Sequence, residues 1–101
     1  MGFFSSFSAI GKIYGKLKLI EIDLTNMQRC LQTSSLRSGF NQASMNGLQH
    51  LKELSMLVEN SDDTVQRADF EFAGQKRSIE YHLLAISEYM KQMMTEYTFN
   101  H

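Results

Sequence analysis

Between residues 10 and 31 the apolar positions Ile10, Ile13, Leu17, Ile20, Leu24, Met27 and Leu31 are separated by alternating steps of three and four. That spacing holds one narrow stripe along a single side of an α-helix, the pattern by which a helix lies against a partner helix. A strand is the competing reading, because residues 16–24 run K-L-K-L-I-E-I-D-L and nearly alternate. It fails on phase: Leu19 and Ile20 are adjacent and would face opposite sides of a sheet, and no second segment reads as a strand that would pair with it. Helix 1 is therefore predicted over about residues 7–32, its stripe extending about 33 Å.

Two features of this helix go beyond the stripe. Gly11 and Gly15 each cost about 1 kcal/mol in a helix interior, and their four-residue spacing suggests a close contact with another helix. Leu19 and Ile22 fall off the stripe and form a second apolar strip. Such a strip places helix 1 in the middle of a bundle or against another subunit.

The polar run Gln32–Ser35, followed by Ser38 and Gly39, ends helix 1, and Ser38 is the predicted cap of helix 2 over about 39–59. Phe40, Leu48, Leu51, Leu54, Leu57 and Val58 supply its apolar stripe, with Ser44, Gly47 and Ser55 permitting close backbone approach. Residues 60–63, N-S-D-D, make the second break and offer Ser or Asp as the next cap. Helix 3 is predicted over about 62–98, since Phe72, Lys76, Ile79, Leu83, Ile86, Met90, Met93 and Tyr97 repeat the three-and-four spacing through Gly74.

The expected fold is all-α, an antiparallel three-helix bundle of long coiled-coil-like helices in a single domain spanning residues 1–101. A continuous helix 3 would measure about 52 Å, longer than either neighbour, and the excess predicts a two-fold dimer. Ile79, Leu83, Ile86, Met90, Met93 and Tyr97 are then the self-association seam. A break at Gly74, giving a four-helix monomer, is the alternative.

Composition narrows the function classes. Cys30 is the sole cysteine, which excludes an internal disulfide framework and a multi-thiolate zinc site built by one chain. Neither two Glu-x-x-His units nor His-x-x-x-His is present, so no metal is expected; His50 and His82 are read as surface or interfacial side chains. No glycine-rich phosphate loop occurs, and Cys30 beside the helix 1 seam reads as a packed thiol rather than a nucleophile. No catalytic residue and no cofactor are assigned, and the chain is read as non-enzymatic. A net charge of -1, with acids interspersed among Arg67, Lys76 and Arg77, argues against nucleic acid as a partner.

Charge is nonetheless uneven. Residues 1–20 carry three lysines and no acid, whereas residues 21–101 carry seven basic and eleven acidic side chains, a balance running from +3 to -4. Phe3, Phe4, Lys12, Lys16 and Lys18 are the candidate surface for a partner or an anionic membrane. The lysines follow the apolar start instead of preceding it, and serines and Gly11 interrupt it, so neither a secretory leader nor a spanning helix is expected. Gly2 and Ser6 formally meet an acylation pattern. The overall expectation is a cytoplasmic interaction module that self-associates, with peripheral membrane association as the alternative.

Overall fold

The computed structural model describes residues 3–99, with side chains described from residue 8 onward. Helix α1 runs Phe3–Gln32, α2 Phe40–Glu59, α3 Asp63–Arg67 and α4 Ile79–Phe99, with a 3-10 segment at Ser34–Gly39 joining the first two. Between α3 and α4 lies an antiparallel hairpin, β1 Asp69–Phe72 and β2 Gln75–Ser78. At about 1.5 Å per residue the 30 residues of α1 nearly match the 50 Å long axis of the molecule, so this helix is the spine.

Side-chain pairs fix the directions. Lys16 meets Glu53, Asp23 meets His50, and Met27 borders Gly47, so α2 runs antiparallel to α1. Phe40 stacks on Tyr97 while Gly47 faces Met90, so α4 runs antiparallel to α2 and alongside α1 in the same direction. All seven positions of the α1 stripe face this core: Ile13, Leu17, Ile20 and Met27 are buried, and Ile10, Leu24 and Leu31 pack against them. On α2 the contact is made by small residues as well as large ones, with Ala43, Ser44 and Gly47 buried beside Phe40 and Leu54. A Cβ on Gly47 would lie 2.9 Å from Met90 Cε, the end of a flexible side chain, and 3.5 Å from Asp23 Cβ, so α2 passes close to both other helices at this level.

The segment read as one helix over 62–98 is the main correction. Asp62 Oδ1 accepts from the Val65 backbone N–H at 3.1 Å and starts α3, which ends at Arg67. The chain then extends, with Phe70 and Phe72 on one side of β1 and Asp69 and Glu71 exposed on the other. Ala73 and Gly74 both take positive φ, 54° and 78°, as a two-residue turn between right-twisted strands requires. Ser78 then caps α4, its Oγ accepting from the Tyr81 N–H at 3.2 Å. Phe72 and Lys76 continue the spacing of α4 in sequence, but they sit on the hairpin.

No 52 Å rod forms, and with it goes the overhang that predicted a dimer through helix 3. Two smaller expectations also fail. Leu48 is exposed, because α2 turns its small residues toward the core at that level, and Ser38 lies inside the 3-10 segment, with no side-chain cap on α2.

Candidate functional site

The seam between α1 and α2 holds two polar pairs in an otherwise apolar contact. Asp23 is 6% exposed and accepts the Nδ1–H of His50 at 2.6 Å. Gly47 lies opposite it on α2, where a Cβ would stand 3.5 Å from Asp23 Cβ, so the two helices are close here. One and two helical turns away, the Lys16 ammonium bonds the Glu53 carboxylate, which also accepts from Gln49 Nε2 at 2.9 Å.

The Lys16 hydrogen bond first, and the Gln49 hydrogen bond second, hold the Glu53 carboxyl below its ordinary value of 4.5. A folded-state pKa lowered in this way contributes stability that is complete above the unfolded value and lost as pH falls through the folded one. We therefore expect Glu53→Gln to be less stable than wild type near neutral pH, with the gap closing below about pH 4.5. Thermal melts of both proteins from about pH 6 to about pH 3 check it. A gap that stays constant over that range would remove Glu53 from the acid limb.

Outside this seam, on the side away from α4, α1 and α2 form an open groove of about 670 Å³ floored by Gly15, Leu19, Met56 and Leu57. Leu19, Ile22 and Met56 are 40%, 50% and 52% exposed. Gly11 and Gly15 have open space above them, so no close contact among the described residues accounts for either glycine. Lys12 and Lys18 stand exposed on α1, whereas Lys16 is committed to Glu53.

On the opposite side, the hairpin, α1 and α4 enclose a smaller cavity of about 330 Å³. His82, read from sequence as a surface or interfacial side chain, is 2% exposed here. Its Nε2 lies 2.6 Å from the Phe70 carbonyl oxygen. Phe72 and Tyr81 each set a ring edge-on to the imidazole, with centroids 5.7 Å away. Sequence periodicity missed this residue because it treats histidine as polar, yet His82 falls on the core face of α4, one turn past Ile79.

The residues assigned to a self-association seam are committed to the chain's own core. Ile79, Ile86, Met90 and Met93 are between 1% and 3% exposed, and Leu83 and Tyr97 pack against them. Tyr97 stacks on Phe40 with centroids 4.4 Å apart, and the Arg37 guanidinium lies 5.0 Å above its ring. The side chains of Phe3, Phe4 and Phe7, together with Gly2 and His101, lie outside the described residues. Cys30 is half-buried against Gly39. Among the described residues no three His, Cys, Asp or Glu side chains are grouped to hold a metal ion, and no helix is long and apolar enough to cross a membrane. No protein-family model matches the chain, nor does any curated protein or solved structure.

Proposed function

We propose that this chain is a cytoplasmic, non-enzymatic helical module that works by protein–protein contact and self-associates through the outer face of α1 and α2. The observation that carries the reading is the exposure of Leu19 and Met56 around a groove whose floor includes a bare glycine, with Ile22 exposed one turn from Leu19 on α1. The chain's own core uses the other side of α1 completely, so this second strip has no partner within the described fold. Contiguous apolar surface rimmed by charge marks contact sites in soluble proteins. A two-fold pairing of this face would bring the Leu19 of each copy toward the Gly15 of the other, a self-complementary fit of side chain to notch.

Light scattering tests it. The wild-type protein is expected at twice 11.6 kDa at micromolar concentration, and the double change Leu19→Asp with Ile22→Asp at 11.6 kDa with its helical content intact. Both positions are exposed in the single chain, so the substitutions spare the fold. A wild-type mass of 11.6 kDa would defeat the self-association reading.

Peripheral membrane association is the second reading, favoured by the exposed Lys12 at the edge of the same apolar groove, with Lys18 exposed on the hairpin side of α1. Anionic vesicles would then carry the intact protein in flotation, and salt would release it by screening those lysines.

A further inference from the structure

We propose that the cavity between the hairpin, α1 and α4 is a binding site for a small aromatic molecule bearing a hydroxyl or N–H donor, with His82 Nδ1 as the acceptor. The inference is independent of the α1–α2 face and starts from the tautomer. A backbone carbonyl only accepts, so the 2.6 Å contact to the Phe70 oxygen places a proton on His82 Nε2. In the neutral ring the lone pair is then on Nδ1.

That second nitrogen has no hydrogen-bond partner among the described residues, and it is not sealed from open space. His82 is 98% buried, and it borders this cavity. A lone pair that the described residues leave unpartnered and open to the cavity side is available to a donor from a ligand. The ring is also locked: the Phe70 carbonyl fixes one edge, and Phe72 and Tyr81 pack against it. The imidazole is thus held in place by the fold.

The walls define the rest of the ligand. Phe72, Tyr81 and Tyr89 supply aromatic surface and Leu24 and Ile86 aliphatic surface, with Glu21, Thr25, Gln28 and Gln75 as the polar part of the lining. A volume of about 330 Å³ is at the small end of ligand pockets, which are mostly apolar with a few fixed polar groups. A compact ring with one donor satisfies both the apolar walls and the lone pair. A purely aliphatic ligand leaves the acceptor bare, and an anionic one would meet the Glu21 carboxylate in the lining.

Phenol and toluene are the probes, being alike in shape and differing in the donor. Titration of the nitrogen-15-labelled protein should give saturable shifts with phenol, confined to the hairpin, α1 and α4 residues around the cavity and including the His82 ring nitrogens. Toluene should bind about tenfold more weakly, since it leaves the acceptor unpaired. Ala85 lines the cavity from α4 and is exposed, so Ala85→Phe should fill the space and abolish phenol binding while the amide spectrum stays that of a folded protein. Thr25→Phe, from the α1 wall, repeats the block should the first variant disturb α4. Absence of saturable phenol shifts in the wild type overturns the site. Equal affinity for phenol and toluene overturns the role of His82, and phenol binding that survives both blocking variants overturns the location.

Discussion

Ile86→Asp is expected to unfold this protein and not to yield a folded monomer. Ile86 is 2% exposed on the face of α4 that meets the α1–α2 pair, and Met90, one turn on, is 1% exposed against Gly47. A carboxylate there would lose most of its hydration among the apolar side chains of the core, a penalty of about 4–5 kcal/mol. Small domains have about 5–15 kcal/mol of total stability, so the folded state would be lost or nearly so. Circular dichroism and light scattering together decide it. A helical, cooperatively melting species of 11.6 kDa would instead return α4 to the role of an intersubunit seam.

The second large effect is expected at the hairpin. Phe70 is 1% exposed, its ring lies 5.2 Å from that of Tyr14, and its carbonyl holds His82. Phe70→Ala should cost about 3–5 kcal/mol, the range for deleting a buried aromatic side chain. The loss should also be local in character. A two-stranded hairpin is marginal by itself, and β2 contributes only polar, exposed residues before Ser78. Hydrogen exchange should therefore show β1 and β2 losing protection while α1 and α2 keep theirs. A loss below about 1 kcal/mol with the strand amides still protected would mean that the turn and the Glu71–Lys76 cross-strand pair hold the hairpin unaided.

The two variants test different kinds of packing. Ile86 belongs to a stripe that any helical reading of residues 79–97 would find, and its burial follows from the three-and-four spacing. Phe70 belongs to a segment where the spacing misleads. Phe72 and Lys76 stand at helical intervals before Ile79, so the repeat runs unbroken through Gly74. The contrary signals are local: the alternation of D-F-E-F, an Ala-Gly pair suited to a two-residue turn, and a serine where α4 needs a cap. Each is short, and a long periodic pattern outweighs it when the chain is read without its neighbours.

The candidate surfaces divide in the same way. Leu19 and Ile22 stand out in sequence as apolar residues off the stripe, and the fold leaves both exposed. Asp23, His50 and His82 carry no periodic signal, because a polar residue counts as outward-facing until a partner is known. Asp23 is buried because α2 packs over it at Gly47, 24 residues later, and His50 supplies a proton donor. His82 is buried because the hairpin folds back and presents the Phe70 carbonyl.

Sequence alone determined the helical character of this protein, the α1 stripe and most of the α2 and α4 positions that become its core, the break at residues 60–63 and the uneven placement of its lysines. These follow from the 3.6-residue period and from turn chemistry, which are properties of neighbouring residues in one segment. Tertiary structure decided that residues 69–78 form a hairpin, that the α4 stripe is spent within the chain and that Asp23 and His82 lie inside. Those outcomes depend on groups distant in sequence meeting in space. A marginal strand pair is stabilised by burying Phe70 against α1, and a buried polar atom is tolerated only where another segment completes its hydrogen bond.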